Sequence, residues 1–278
     1  MPNLVIYHKN CSDGFASAWS ARQAFFERKE SAEYVPMLHA DTPPDVTGKD
    51  VYICDIAFPR PILLELKEKA KSLIVLDHHK TAEEDLKGLD FCVFDMTRSG
   101  AAITWDYFFN ENKPGFRHWL INYVQDRDLW KWELPGSREV SEAIYSNPYT
   151  FEAWDDMALK SVYLMTLEGT AIRRATQKQI DMSLNRAYWG QLGDYIVPVV
   201  NTEYHSSEIG NLLSKNADFA VCWSQVENGR FRYSLRSQGF DVAKVAQGLF
   251  GGGGHAQAAG FTTDSLVIKF VSKFEPNM

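Results

Sequence analysis

Carboxylate and imidazole side chains recur in this sequence at the ends of short apolar runs. The residues concerned are His8, Asp13, Asp55, Asp77, His78, His79 and Asp126. The tripeptide Asp77-His78-His79 directly follows the apolar run 73–76, and packing does not readily explain two adjacent imidazoles there. Mixed carboxylate and imidazole ligands suit Mn²⁺, Zn²⁺ or Co²⁺ better than Ca²⁺. The pattern therefore predicts a divalent metal site, although any one of these residues alone is typical of a helix cap or a turn.

A glycine run near the C-terminus, residues 251–254, is followed by His255 and several small residues. Glycine lets backbone N–H groups approach an anion, and the small residues are expected to open a helix whose N-terminus faces that anion. An alternating apolar and polar segment precedes the run, and its Arg236 can bind phosphate through two hydrogen bonds. Arg230 and Arg232 are expected to be solvated. These features predict an anion site, whereas a glycine run alone is also typical of a flexible loop.

Four apolar runs predict the strands that position the carboxylates and imidazoles named above. These runs are residues 4–7, 51–54, 73–76 and 91–94. Helical patterns follow three of them, one from Gly14, one opened by Pro59 and Pro61, and one capped by Ser99. Apolar strands alternating with helices indicate an α/β fold with a mostly parallel sheet flanked by helices. The side chains that follow the strands then collect at one edge, where such sheets bind ligands.

Beyond the parallel sheet the sequence changes character twice. Residues 151–190 contain no proline, which favours a long helix or a helical hairpin. A strand is predicted from residue 196, and Asn228-Gly229 between two alternating segments is a strong hairpin signal. We therefore expect a first domain at 1–150, a helical linker at 151–192 and a smaller α/β domain at 193–278.

Composition limits the partners and the compartment. The 278 residues include 29 Lys and Arg against 36 Asp and Glu, which gives a net charge of −7. This balance argues against long duplex nucleic acid as a partner, but not against small anionic substrates. Four scattered cysteines argue against a disulfide framework or a structural zinc site. Since no apolar run approaches the roughly 20 residues of a membrane span and no signal-peptide pattern is present, we expect a cytoplasmic protein without membrane partners.

The order of these motifs resembles that of the DHH/DHHA1 phosphoesterase superfamily, over nearly the whole chain. The resemblance rests on Asp13-Gly14, Asp55, Asp77-His78-His79 and the segment 251–260. The superfamily includes RecJ-type exonucleases, oligoribonucleases, phosphatases of 3′-phosphoadenosine 5′-phosphate, cyclic-dinucleotide phosphodiesterases and polyphosphatases. The resemblance implies an N-terminal DHH domain with one or two Mn²⁺ ions, for which Mg²⁺ or Co²⁺ could substitute, and a C-terminal DHHA1 domain that binds substrate across a cleft.

The resemblance also implies a role for each candidate residue. The metal ligands would be His8, Asp13, Asp55, His78 and Asp126. Asp55 would bridge two ions, and Asp126 is preferred to Asp128 for its spacing from the preceding helix. The catalytic group would comprise Asp55, Asp77, His78 and His79, with His79 contacting the substrate phosphate. The substrate-binding residues of the C-terminal domain would be Arg236, Gly252, Gly253, Gly254 and His255.

The first motif departs from the family pattern. The stretch from His8 to Gly14 is one residue shorter than usual and lacks the first Asp, with Cys11 near that position. Three arrangements of the first metal position therefore stay open: ligation by Cys11, shifted ligation by His8, or weak occupancy.

The expected function is metal-assisted hydrolysis of phosphodiester bonds in short single-stranded oligonucleotides or related nucleotides. One alternative is hydrolysis of a small phosphate compound, such as a nucleotide bisphosphate, a cyclic dinucleotide or polyphosphate. An alternative of another class is a catalytically weak nucleotide-binding protein. The sequence leaves open the exact substrate, the polarity of any exonuclease attack and whether the chain forms a homodimer.

Overall fold

The N-terminal part of the computed structural model is built on a sheet of five parallel strands. The strands are β1 (Asn3–His8), β2 (Ala32–Met37), β3 (Asp50–Cys54), β4 (Ser72–Asp77) and β5 (Cys92–Phe94). Their order across the sheet is β2-β1-β3-β4-β5. Each of the four predicted apolar runs corresponds to one of these strands. The structure describes residues 2–109, 116–226 and 229–274.

Helices pack on both faces of this sheet. The helices between residues 12 and 184 are, in chain order, α1 (Ser12–Glu27), α2 (Arg60–Lys69), α3 (Lys80–Asp85), α4 (Gly100–Phe109), α5 (Trp119–Asp128), α6 (Ser137–Ser146), α7 (Phe151–Ala158) and α8 (Val162–Leu184), of which α8 continues into the C-terminal part. Successive side chains of a strand point to opposite faces. Accordingly, Val5 and Tyr7 of β1 are buried in a core with residues of α1, α4 and α5, while Leu4 and Ile6 are buried with Leu63 of α2 on the other face. The predicted α/β class is confirmed.

The edge strand β2 is absent from the sequence prediction. Its sequence, AEYVPM, is not a continuous apolar run, and Pro36 within it is typical of a strand boundary. Proline cannot donate a ladder hydrogen bond, but an edge strand tolerates it. Because β2 pairs with β1 in parallel, it also carries the chain toward His39, two residues beyond its end.

The strand order creates a switch point between β1 and β3. The chain leaves β1 for β2 on one side and continues to β3 on the other, so the two connections diverge at this point. Open α/β sheets bind ligands in the crevice at such a point. His8 ends β1, Asp55 directly follows β3, and Asp77 ends β4. The topology therefore brings these residues to one edge of the sheet.

The C-terminal part has a mixed seven-stranded sheet. Its strands are β6 (Tyr188–Leu192), β7 (Tyr195–Asn201), β8 (Phe219–Gln225), β9 (Phe231–Ser237), β10 (Gly253–His255), β11 (Ala258–Thr263) and β12 (Lys269–Lys273), in the order β10-β11-β9-β8-β7-β6-β12. Helices α9 (Ser206–Leu213) and α10 (Val242–Phe250) pack against it, and a short 3-10 turn covers Ser214–Asn216. The predicted hairpin is present as the antiparallel pair β8 and β9. Asn228 of the predicted turn lies outside the described residues.

The prediction of a helix after the glycine run is wrong. Gly251 caps the end of helix α10, and the run continues at Gly253 into strand β10, which forms an antiparallel hairpin with β11. Gly251 has a φ of 65° and donates its N–H to the Gln247 carbonyl, while Gly252 donates to the Ala246 carbonyl. This pair of hydrogen bonds is the usual way in which glycine closes a helix C-terminus. The glycines therefore stop a helix that precedes them.

The chain divides into two structural units, Met1–Arg173 and Arg174–Met278. The segment 151–192 contains α7, α8 and β6, so most of it is helical. Its separate status as a linker between 1–150 and 193–278 stays a prediction. Within the described ranges, no helix combines the length and apolar character of a membrane span.

Candidate metal centre

Asp55 lies at the centre of a buried group of carboxylates and imidazoles. Its side chain is 2% exposed, and its two oxygens face different rings. Oδ2 is 3.6 Å from Nδ1 of His8, and Oδ1 is 3.2 Å from Nε2 of His78. The backbone of Asp55 has a φ of 58°, a conformation that costs a non-glycine residue about 1–3 kcal/mol. Strain of this kind is common at functional sites, and the carboxylate of Asp55 is buried among the rings at the end of β3.

His78 is surrounded by three carboxylates. Besides Asp55, its Nε2 lies 3.6 Å from Oδ2 of Asp13 and 3.5 Å from Oδ2 of Asp128. Burial disfavours protonation of the ring, but Asp55, Asp128 and Asp13 outweigh it and raise the pKa of His78 to about 10. The carboxylates therefore create a strongly negative potential at this imidazole.

The Asp13 carboxylate is held by the N-terminus of α4. The backbone N–H of Gly100 donates to Oδ2 at 2.6 Å, and that of Ala101 donates to Oδ1 at 3.1 Å. Helix N-termini stabilise negative charge. Nevertheless, burial and the neighbouring carboxylates Asp55 and Asp128 raise the pKa of Asp13 well above its usual range. The sequence predicts Ser99 as the cap of α4. Ser99 does accept a hydrogen bond from the Ala102 N–H, but Asp13 binds the first two N–H groups.

Gly100 is required by the closeness of α4 to these carboxylates. A Cβ atom at this position would lie 2.6 Å from Cβ of Asp55, 2.8 Å from its Oδ1 and 3.0 Å from Oδ2 of Asp13. These separations are shorter than van der Waals contact. Gly100 is therefore a site residue that the sequence analysis does not identify, since its role depends on contacts across the sheet.

His79 is oriented by Asp77. Nδ1 of His79 is 2.7 Å from Oδ1 of Asp77, and the same oxygen accepts the backbone N–H of His78 at 2.8 Å. Although burial opposes protonation, the Asp77 carboxylate raises the pKa of His79 to about 8. The other oxygen of Asp77, Oδ2, is buried and has no hydrogen-bond partner among the described residues. Asp77 thus supports both adjacent histidines.

A second set of candidate ligands lies on the other side of Asp55. His8, Cys11 and Asp55 offer ligand atoms that all lie within 4.8 Å of one another. Burial and the carboxylates Asp55, Asp13 and Asp128 raise the pKa of the Cys11 thiol well above its usual range. The ring of His39 is 5.3 Å from that of His8 and 6.0 Å from that of His79, measured between ring centroids. His39 is missed by the sequence analysis because strand β2, which delivers it, is missed.

The structure favours Asp128 over the predicted Asp126 as the residue of α5 beside His78. Asp126 and Asp128 both lie near the end of α5, but only Asp128 reaches His78, with a side chain that is 26% exposed. Asp126 instead accepts hydrogen bonds from the backbone N–H groups of Glu133 and Leu134, at 3.0 and 3.3 Å. Each residue of a helix is rotated by about 100° from the one before it, so residues two positions apart point about 160° apart, to nearly opposite sides. Only one of the two can therefore face the cluster.

The predicted anion-binding residues of the C-terminal unit form hydrogen bonds or strand pairs with other residues of that unit. Arg236 of β9 donates to Oγ of Ser207 at 2.9 Å and to its neighbour's carbonyl, that of Leu235, at 2.8 Å. The N–H of Gly252 is bound to the helix carbonyl described above. Gly253 and Gly254 pair with Gly260 and Ala259 in the hairpin, and His255 pairs with Ala258. Their roles in substrate binding stay a prediction.

The residues of the N-terminal cluster fit a divalent cation. Asp13, His78 and Asp128 bring their ligand atoms within 4.8 Å of one another, as do His8, Cys11 and Asp55. Burying several carboxylates together is costly unless a positive charge compensates them. In the protein without a metal ion, the imidazole of His78 supplies that charge, because its raised pKa keeps the ring protonated. Oxygen and imidazole ligands in this arrangement suit Mn²⁺ and related ions.

Comparisons with known proteins match the C-terminal part of the chain to one domain family and the chain as a whole to several relatives. Residues 193–275 match the DHHA1 domain family. Protein R106 of Acanthamoeba polyphaga mimivirus, whose function is uncharacterized, is 29% identical over 95% of this chain and 68% of R106. Oligoribonuclease NrnB of Bacillus subtilis is 27% identical over 72% of this chain and 55% of NrnB, so the match spans little more than half of that enzyme. RecJ of Thermus thermophilus, solved with Mn²⁺, has a TM-score of 0.53 at 14% identity, over 94% of this chain and 49% of RecJ, a likeness of fold alone.

The DHHA1 match and the NrnB relative support the DHH/DHHA1 superfamily for this chain. The resemblance read from the sequence is thereby confirmed, together with its α/β architecture and a C-terminal DHHA1 domain. Members of the DHH superfamily are metal-dependent phosphoesterases. The Asp77-His78-His79 tripeptide, on which the resemblance partly rests, begins at the last residue of β4 and contributes His78 to the carboxylate cluster.

Proposed function

We propose that the protein is a metal-dependent phosphoesterase that hydrolyses the phosphodiester bonds of short single-stranded oligonucleotides. The position of Asp55 carries the proposal. One carboxylate oxygen faces His8 and the other faces His78, so a single side chain can serve two adjacent cation positions. Two-metal hydrolases of phosphate esters use a shared carboxylate in this way, because the paired ions stabilise both the attacking and the leaving oxygen.

We assign the cation ligands by position in the cluster. Asp13, Asp55, His78 and Asp128 would hold one ion, and His8, Cys11 and Asp55 would contribute to a neighbouring position. This assignment replaces Asp126 with Asp128. Mn²⁺ is the ion that we expect, with Mg²⁺ or Co²⁺ able to substitute. When bound, a divalent ion would lower the pKa of water and offset charge on the phosphoryl oxygens.

The remaining side chains would bind and orient the phosphate. Asp77 fixes the His79 ring through the 2.7 Å contact, and the pKa of about 8 keeps the ring mostly protonated near neutral pH. A protonated imidazole donates charge-assisted hydrogen bonds to phosphate oxygens. The N-terminus of α4 holds the Asp13 carboxylate in a fixed orientation. The chain needs no serine or cysteine nucleophile for this chemistry.

The choice of a short single-stranded substrate rests on charge and on one relative. A net charge of −7 disfavours long duplexes, whose binding requires many cationic contacts to phosphate. NrnB, the relative with 27% identity, is an oligoribonuclease. If the protein instead hydrolysed a small phosphate compound, such as a nucleotide bisphosphate or polyphosphate, it would still be a phosphoesterase, but its substrate would not be an oligonucleotide.

The test is a hydrolysis assay with Mn²⁺ on RNA oligonucleotides of two to twenty nucleotides, labelled at the 5′ or the 3′ end. We expect turnover to be fastest on the shortest substrates, and to be abolished in Asp55→Asn and in His78→Ala. Asp156→Asn provides the matched control, since Asp156 is an exposed carboxylate on α7. Wild-type activity in both Asp55→Asn and His78→Ala would contradict the proposal. Parallel assays on 3′-phosphoadenosine 5′-phosphate and polyphosphate test the alternative substrates.

A further inference from the structure

The turn that directly follows Asp128 has an unusual composition and conformation. It contains Trp130, Lys131 and Trp132, and both tryptophans have a φ of 58°. Bulky residues rarely adopt this left-handed conformation, because their side chains make it strained. A polar residue or a glycine would form the same turn more easily. The two indoles are therefore kept at a position where the backbone disfavours them.

Asp126 holds the turn in place. Its main-chain carbonyl accepts the Lys131 N–H at 2.9 Å, and its carboxylate accepts the N–H groups of Glu133 and Leu134. The Trp130 N–H donates to the carbonyl of Arg127 at 3.1 Å. The turn is thus fixed relative to α5, whose last residue is the candidate ligand Asp128. Asp126 therefore has a structural role, which is to hold the turn that lies next to the carboxylate cluster.

The side chains of the turn form a cluster of aromatic rings and cations. The indole rings are 5.0 Å apart at an interplanar angle of 73°. The guanidinium of Arg127 lies 4.8 Å from the Trp130 ring, and that of Arg138 lies 4.1 Å from the Trp132 ring. Both indoles are only partly buried, and Lys131 is exposed. Partly exposed indoles with adjacent cations are the combination that binds bases and backbone of single-stranded nucleic acids.

We propose that this turn, residues 130–132, is a nucleobase-binding subsite. The base would stack on the Trp130 indole, and Lys131 would attract the adjoining phosphate. Two residues span at most about 7 Å of chain, so Trp130 stands close to Asp128 and to the phosphate that the cluster would bind. The inference rests on the proposed function, because it names the part of a nucleotide substrate that lies beside the scissile phosphate.

The experiment compares Trp130→Ala and Trp130→Phe with wild type on two substrates, an RNA dinucleotide and the same dinucleotide lacking its bases. Stacking on an aromatic side chain is worth about a 5- to 150-fold change per base. We expect kcat/KM of Trp130→Ala to fall by that factor on the dinucleotide and to stay unchanged on the base-free substrate, while Trp130→Phe retains most activity. Phe26→Ala, which removes an aromatic ring that is 78% exposed on α1, is the control and should match wild type. Equal losses on both substrates, or no loss on either, would overturn the inference.

A binding measurement separates this inference from the proposed function. Calorimetry with Mn²⁺ present compares adenosine 5′-monophosphate with inorganic phosphate as the probe. We expect Trp130→Ala to weaken binding of the nucleotide by the same factor and to leave phosphate binding unchanged. Should wild type hydrolyse no dinucleotide, the proposed function fails, yet this difference in binding would still support the subsite. Unchanged nucleotide affinity in Trp130→Ala would overturn it whether or not turnover is observed.

Discussion

Gly100→Ala is the substitution for which the structure predicts the largest effect from the smallest chemical change. The added methyl group would lie 2.6 Å from Cβ of Asp55 and 3.0 Å from Oδ2 of Asp13. Carbon atoms in ordinary contact are about 3.5–4.0 Å apart, so α4 or Asp55 must move by about 1 Å. Both carboxylates belong to the proposed cation site, and the same helix N-terminus binds Asp13. The displacement is therefore transmitted directly to the ligands.

The expected magnitude follows from two opposing contributions. A displacement of about 1 Å in a catalytic arrangement can lower the rate by about 100-fold. Overpacking costs about 1–3 kcal/mol of folding free energy, and replacing glycine by alanine in a helix returns up to about 1 kcal/mol. We therefore expect Gly100→Ala to lose about 100-fold in kcat/KM and at least tenfold in Mn²⁺ affinity, with a loss of stability of no more than about 3 kcal/mol.

The assay is calorimetric titration with Mn²⁺ together with steady-state hydrolysis of an RNA dinucleotide. Gly248→Ala in α10 is the matched control, because a Cβ atom there meets nothing within 4 Å. It should keep wild-type affinity and turnover and gain slightly in thermal stability through helix propensity. If Gly100→Ala bound Mn²⁺ and hydrolysed the dinucleotide as wild type does, the assignment of Asp55 and Asp13 as ligands would be refuted.

Three further predictions concern the ligands and the fold around them. Asp128→Asn should lower Mn²⁺ affinity at least tenfold, whereas Asp126→Asn should keep it; the reverse order in a calorimetric titration would restore Asp126 as the ligand. Co²⁺-loaded wild-type protein should show sulfur-to-cobalt charge-transfer absorption that disappears in Cys11→Ser, and identical spectra would exclude Cys11. Asp106 accepts hydrogen bonds from Arg98 and Arg117, so Asp106→Ala should lower the free energy of unfolding by roughly 1–3 kcal/mol. Denaturant unfolding measures that loss, and a stability equal to that of wild type would show that the ion pairs contribute nothing.

The parallel sheet could be predicted from the sequence because its strands are buried on both faces. Their apolar runs are continuous, and the residues after them must meet at one edge whatever the details of packing. Strand β2 escaped the prediction because an edge strand needs no continuous apolar run and tolerates Pro36. His39 escaped with it. The signal that could have found both is the short stretch Tyr34–Met37, which contains aromatic and β-branched residues and ends two residues before a histidine.

The rest of the site depends on contacts that one sequence does not encode locally. Asp126 and Asp128 have equivalent chemistry, and only the rotation of α5 decides which one faces His78. Gly100 matters because the ends of α4 and β3 approach each other in space. From the sequence alone, a glycine run is compatible with an anion-binding helix N-terminus as well as with a helix C-terminus, and the predicted helix lies on the wrong side of it. The positive φ of Gly251 at the end of α10 resolves the choice in favour of a C-terminal cap.

We propose that Asp55 joins two cation positions in one buried cluster. The most direct test is calorimetric titration of the full chain with Mn²⁺, comparing wild type with Asp55→Asn and with the exposed control Asp156→Asn. We expect wild type and Asp156→Asn to bind Mn²⁺ with the same stoichiometry and affinity, and Asp55→Asn to lose binding at both positions. Binding of Mn²⁺ by Asp55→Asn with wild-type stoichiometry and affinity would contradict this proposal.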